Sequence, residues 1–330
     1  MWFATRSPVN RPYLDGHAGP EMPHLFSPVN PIKIPDAIIE RLAAGLGKEM
    51  TKINNLDPLD MARDMLNPQR ALTAYALLDR HVDPKGKQIL EIGSGYGTNL
   101  IVWTKHFGLD VIGVEPEGGG FSETISISEK LCELNGVPPD RIKVSTGEAL
   151  PFVDSSFDIV YSANVLEHTN DPAGVLREAL RVLRPGGILH FEIPNFLSFF
   201  EGHYYVLMPP IWWKGLLPFW VKHVYGRDPA FAKTLRTEIN PIWLRRTLRE
   251  LGKNYPLQPV SLGEELFRER LNAATFEFAQ QGSRARIGPL ISLLLKLNKG
   301  DMVANSLILL QAHYPLYLTV RKTVVSGGGV

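Results

Sequence analysis

The chain predicts a doubly wound α/β fold on a mostly parallel sheet. Three observations carry that expectation. Short apolar runs at Gln88–Ile92, 110–114, 142–145, 157–162 and 188–193 have the length and texture of buried strands. The stretches between them place apolar residues at helical spacing, as Val175, Leu176, Ala179, Leu180 and Leu183 do on one side of 172–183. The first run ends in Gly93-Ser94-Gly95-Tyr96-Gly97, glycines that let a strand turn tightly into a helix. Strands and helices alternating at this size form right-handed crossovers with helices on both faces.

The elements follow in order. Residues 1–35 hold seven of the 26 prolines, which predicts an extended arm. Ile38, Ile39, Leu42 and Leu46 mark a helix over 36–46, and Asn67 with Pro68 opens another that runs to about His81. These two make up an N-terminal helical region, 36–84. The core, 85–195, alternates the five strands with helices at 99–107, from a Ser122 cap to Asn135, and at 172–183. Gly136 closes the second of these helices and Pro185-Gly186-Gly187 the third. Eleven aromatic residues crowd 196–231, read as a helical, aromatic cap inserted over 196–255. Asn240-Pro241 starts a helix that ends at Gly252, and 314–322 is a last strand in the closing region 256–330.

Composition narrows the function. Lys and Arg total 35 against 34 Asp and Glu, a net charge of +1, which argues against an electrostatic hold on nucleic acid. The single cysteine, Cys132, excludes an internal disulfide framework and a cysteine zinc cluster. No close His/Asp/Glu spacing suggests a metal site, and none is expected. No apolar run reaches about 18 residues, and no basic head with an apolar run opens the chain. The expected compartment is the cytoplasm.

The glycine loop sits where a helix N-terminus exposes unpaired N–H groups. Glu115 ends the second strand 20 positions after Gly95, and a carboxylate there can accept two hydrogen bonds from ribose hydroxyls. Thr98 occupies the place where a dinucleotide fingerprint has its third glycine.

Further along, Leu150-Pro151-Phe152 with Phe157-Asp158, Asn164-Val165-Leu166-Glu167-His168 and Leu183-Arg184-Pro185-Gly186-Gly187 follow in order. With the glycine loop and Glu115, these motifs resemble a class I S-adenosylmethionine-dependent methyltransferase of the broad small-molecule branch. The resemblance covers about 85–195. It implies a Rossmann-like sheet with an antiparallel final strand, S-adenosyl-L-methionine as cofactor, and in-line methyl transfer. It implies that Glu91, Gly93, Ser94, Gly95 and Gly97 surround the methionine half of the cofactor. Glu115, followed by Pro116, would hold the ribose. Thr146, Gly147 and Glu148 would meet the adenine, although Thr146 stands where the family often has an aspartate. Asn164 would line the methionine portion. Asp158 reads as structural.

The expected reaction is O-methylation of a small-molecule, glycan or lipid-linked acceptor. A hydroxyl acceptor calls for a general base, and His168 and His203 are the candidates. His190, inside a strand, reads as a core histidine. Tyr204 and Tyr205 are candidate substrate contacts, with packing as the alternative. The aromatic segment has three readings: the core of a lid, a peripheral membrane contact through Trp212, Trp213, Phe219, Trp220 and Lys222, or an apolar or sugar site. Two other functions stay open. One is a non-catalytic scaffold of the same fold. The other is a nicotinamide-dependent oxidoreductase, which Thr98 and the 164–168 motif disfavour. The sequence does not address oligomeric state.

Overall fold

A computed structural model describes residues 32–49, 53, 56–118, 123–211, 213–271 and 300–324. Among the described residues, a helix at 58–65 stands between the two that are expected before the sheet. Helix α1 (Asp36–Glu49) and the short α2 (Pro58–Met65) pack together, and α3 (Pro68–Asp79) follows. Asn67 caps α3 through its side chain as its sequence position predicts, and Asp57 caps α2 in the same manner. Residues 32–35, the described end of the proline-rich arm, are neither helix nor strand. They are pinned by Asn135, whose side chain bonds both the N–H and the C=O of Lys33.

The core alternates as expected: β1 (Gln88–Ile92), α4 (Thr98–Phe107), β2 (Asp110–Glu115), α5 (Thr124–Leu134), β3 (Ile142–Val144), β4 (Phe157–Ala163), α6 (Pro172–Val182) and β5 (Leu183–Ile193). The expected Ser122 cap lies outside the described residues. Beyond the core come a two-stranded hairpin, β6 (Phe200–Glu201) with β7 (Val206–Leu207), then α7 (Leu216–His223) and α8 (Pro241–Leu251). Next are β8 (Leu257–Ser261), α9 (Gly300–Leu309) and β9 (Leu316–Lys322). Asn240 caps α8 with its side chain, as its Asn-Pro signature predicts.

Among the described residues the main sheet has seven strands, in the order β3-β2-β1-β4-β5-β9-β8. The first five are parallel, and β9 runs antiparallel between β5 and β8. The strand order reverses between β1 and β4, and ligands of open α/β sheets bind beyond the strand carboxyl ends at that point. Trp103 of α4 ties α3 to the sheet: its indole N–H donates to the Ala71 carbonyl at 2.8 Å, and its ring meets Tyr161 of β4 edge-on. His190 is a core residue, as expected, with Nδ1 2.9 Å from the Thr319 hydroxyl across the β5–β9 pairing.

Strand β5 starts at Leu183, paired with Phe157, rather than at 188, and so takes in Pro185-Gly186-Gly187. Helix α6 ends at Val182, within one residue of the expected 183. Its last carbonyls find partners from elsewhere in the chain. The N–H groups of Ser155 and Ser156 donate to Arg181 and Val182, and the Lys322 ammonium donates to Leu180 and Leu183. A cation at a helix C-terminus is favourable, and here it replaces a glycine cap.

Candidate active site

The loop after β1 folds back on β2. The N–H groups of Gly93 and Ser94 both donate to the Val114 carbonyl, and the N–H of Gly95 donates to Glu115 Oε2 at 2.9 Å. Loop and carboxylate are therefore one unit. Helix α4 begins at Gly97 with no side-chain cap, so its first N–H groups stay available.

Glu91 Oε2, near the end of β1, and Ser94 Oγ, in the loop, are buried without a hydrogen-bond partner. Buried polar groups without partners are rare in folded proteins, and a bound ligand is one way such atoms are completed. The other Glu91 oxygen accepts from Asn99 Nδ2 at 2.7 Å. A Cβ built on Gly95 would meet nothing within 4 Å, so this loop backbone faces open space. The residues present thus suit a ligand that carries donors and approaches the backbone closely.

Burial pushes the Glu91 carboxyl up to about 8, Asn99 opposing and Glu115 reinforcing the shift. Burial also raises Glu115, against the Gly95 N–H. The Glu91 value lies above that of the unfolded chain, so its contribution to stability is full below about 4.5 and is lost as pH rises through about 8. Glu91→Gln should therefore melt close to the wild type at pH 4.5 and above it at pH 9. Melting curves at the two pH values test this, and a gap that does not change with pH refutes it.

On the side assigned to the adenine, Thr146 is exposed and Gly147 is packed, where a Cβ would come within about 3 Å of Ile92 and Val175. Glu148 Oε1 accepts the N–H groups of Asn170 and Asp171, which joins this segment to the turn before α6. Arg181 secures the following residues through the carbonyls of Leu150 and Phe152 and the carboxylates of Asp154 and Glu178. Asp158 has the structural role expected of it, accepting from the Gln88 N–H and from Arg184. Pro116 directly follows Glu115 and is half-buried. Asn164 stands at the carboxyl end of β4 with φ +54°, its N–H donating to the Glu192 carbonyl.

Beyond β4 and β5 the fold joins His168 and His203 through a residue the sequence reading passed over. Glu167 is fully buried, and its Oε1 lies 3.7 Å from Nε2 of each histidine. Glu201 Oε1 meets His203 Nδ1 at 2.6 Å, and Glu201 Oε2 accepts the Tyr204 N–H at 2.8 Å. Phe231 packs against both histidine rings. Burial raises Glu167 to about 7, with His203 opposing. Burial, then His203, lowers His168 to about 3. Burial pulls His203 down as well, but the Glu201 bond and the charges of Glu201 and Glu167 outweigh it and leave His203 raised. The sequence held one clue to this arrangement, a carboxylate two positions before His203 and another just before His168.

The two tyrosines separate. Tyr205 is partly exposed at φ +53°. Tyr204 is 0% exposed, and its hydroxyl donates to the Asp228 carbonyl and accepts from the Ala232 N–H. The expected substrate contact through Tyr204 gives way to packing, because its only polar atom is already engaged.

Residues 90–191 match the family model described as a methyltransferase domain. An uncharacterized methyltransferase of Mycobacterium sp. (strain KMS) is 33% identical over 120 residues, 36% of this chain and 44% of the relative. The 2-methyl-6-phytyl-1,4-hydroquinone methyltransferase of Synechocystis is 35% identical over 109 residues, 32% of this chain and 31% of the relative. Among solved structures, phosphoethanolamine N-methyltransferase 2 of Haemonchus contortus aligns at TM-score 0.44 and 17% identity, over 76% of this chain and 52% of that one. The chain spans less than half the length of the curated relatives named here. The family match falls on the stretch that holds the glycine loop and most of β1 to β5, so this part of the chain is similar to methyltransferase domains.

Proposed function

We propose that the chain binds S-adenosyl-L-methionine and methylates an oxygen of a small-molecule, glycan or lipid-linked acceptor. The observation that carries this is the unit of Gly95 and Glu115, set beside the unpartnered Glu91 Oε2 and Ser94 Oγ at the reversal of strand order. Bound there, S-adenosylmethionine supplies a methyl group on a positively charged sulfur. Glu91 and Ser94 hold its methionine half, Glu115 its ribose, and the 146–148 segment its adenine. The protein's main task is to orient the acceptor in line and exclude water, which can supply roughly 7–11 kcal/mol. His203, oriented by Glu201, and His168 line the acceptor side.

Exposed Leu207, Trp213 and Phe219, near Lys222, favour an amphiphilic acceptor and a peripheral contact with a membrane surface. Among the described residues no helix is long and apolar enough to cross a membrane.

The test uses methyl-labelled cofactor and fractionated cell extract. Label should enter a lipid, glycan or small-molecule fraction. Absence of cofactor binding by calorimetry at millimolar concentration would refute the assignment and leave a scaffold of the same fold. Glu115→Ala should weaken cofactor binding by roughly 10–100-fold, the worth of charge-assisted hydrogen bonds. The fold should survive this change, since Glu115 serves one loop N–H, and unchanged affinity would remove the ribose assignment.

A further inference from the structure

We propose that Glu167, His168 and His203 form a binding site for a divalent transition-metal ion of the zinc kind. Glu167 is 0% exposed, and neither of its carboxylate oxygens meets a hydrogen-bond donor from another residue. A buried carboxylate left in that state costs several kcal/mol unless a cation or donor completes it. The nearest candidates are Nε2 of His168 and Nε2 of His203, and both stand 3.7 Å from the same oxygen, Oε1. That separation is too long for a hydrogen bond. It is close to the spacing of ligands around one ion, since tetrahedral ligands at 2.0–2.2 Å lie about 3.3–3.6 Å from each other. The three ligand atoms all fall within 4.8 Å of one another.

The surroundings match a metal centre in two further respects. Glu201 Oε1 lies 2.6 Å from His203 Nδ1 while Glu201 Oε2 accepts the Tyr204 N–H, so the ring is held with Nε2 turned toward Glu167. A carboxylate behind a histidine is the usual outer support of a metal ligand, fixing both tautomer and ring orientation. Phe231 closes one side with an apolar surface, 5.8 Å from the His168 ring and 5.5 Å from the His203 ring between centroids. The His168 side chain is 33% exposed, which gives an ion a way in. Two histidines and one glutamate leave a fourth position for an outside ligand, the composition of catalytic rather than purely structural zinc sites.

The site also has a defined place in the fold. Val165, two residues before Glu167, packs against the position of Gly93, so the centre adjoins the glycine loop at the carboxyl edge of the sheet. The sequence hides it because His203 lies 36 positions beyond Glu167, on the other side of α6 and β5.

The experiment uses the full chain, free of any affinity tag and stripped with a chelator, titrated with Co²⁺ and followed by visible absorption. One equivalent should bind with the intense bands of a four- or five-coordinate ion, and Zn²⁺ should displace it. Glu167→Gln and His168→Ala should each abolish the bands. Glu201→Gln, a change at a positioning residue, should keep them and weaken affinity by roughly 10–100-fold. Circular dichroism of each variant separates loss of the site from loss of fold, and His168→Ala, at a partly exposed position, is the variant expected to fold best. Absence of stoichiometric binding to the wild type overturns the proposal, as do unchanged bands in His168→Ala. Cofactor calorimetry on the same stripped protein reads the methyltransferase assignment independently, so failure of one does not imply failure of the other.

Discussion

Gly95→Asp should abolish cofactor binding and leave the protein folded. The residue has φ +53°, the left-handed region, where an L side chain costs roughly 1–2 kcal/mol and aspartate is among the better tolerated. A Cβ at this position meets no atom within 4 Å, so the fold has room for the side chain. That room is the space the loop surrounds. The new carboxylate would stand in it close to Glu115, whose Oε2 already takes the Gly95 N–H. Cofactor would have to displace the side chain and approach two carboxylates where one now serves it. Calorimetry should show a loss of more than about 100-fold, equivalent to some 2.7 kcal/mol, with an unchanged circular dichroism spectrum. Gly95→Ala separates the causes, because it keeps the backbone strain without the charge and should fall between the two. Retained affinity in Gly95→Asp would place the ligand elsewhere.

Gly93→Ala carries the largest expected effect on stability. Here φ is +73°, and a Cβ would lie 2.2 Å from Val165 Cγ2, a distance no real contact tolerates. The Val165 side chain or the loop must move. Backbone strain and overpacking together should cost about 2–4 kcal/mol. Chemical denaturation of the single variants and of Gly93→Ala/Val165→Ala measures it as a double-mutant cycle. The penalty of Gly93→Ala should shrink by at least about 1 kcal/mol when Val165 is alanine, the remainder being the φ cost. Additive effects would mean that the two residues do not press on each other. The pair matters beyond stability, because Gly93 belongs to the loop proposed to hold the cofactor and Val165 leads into Glu167 and His168. A shift here should disturb both ends of the site.

Much of the fold was legible because its signals are local. Strand β1 and helix α8 could be read from apolar runs, caps and glycines within a few residues of each boundary. The elements that escaped notice lack such signals. Helix α2 is eight residues long, barely two turns. Strand β8 carries Pro259 and an exposed face, and it is a strand only because β9 supplies its partner. Of the site, the glycines and Glu115 were readable from their spacing, and Glu91 from the resemblance that the glycine loop carries. Glu167 and Glu201 were not, since an isolated acidic residue reads as a solvated charge until burial and a histidine neighbour give it another meaning.

The sequence by itself determined the alternation of strands and helices, the place of the glycine loop and the carboxylate that answers it. Turn chemistry, capping and periodicity act over a few residues, so they are written in the local order of side chains. Only the tertiary structure decided that β5 takes up the chain at Leu183, directly after α6, and which groups meet beyond β5. Helix α6 ends at Val182 because Ser155, Ser156 and Lys322, the last from the far end of the chain, satisfy its carbonyls. His203 meets Glu167 because parallel strands β4 and β5 bring their carboxyl ends together after a helical crossover. Contacts of that kind depend on the closing of long loops, and spacing along the chain carries no record of them.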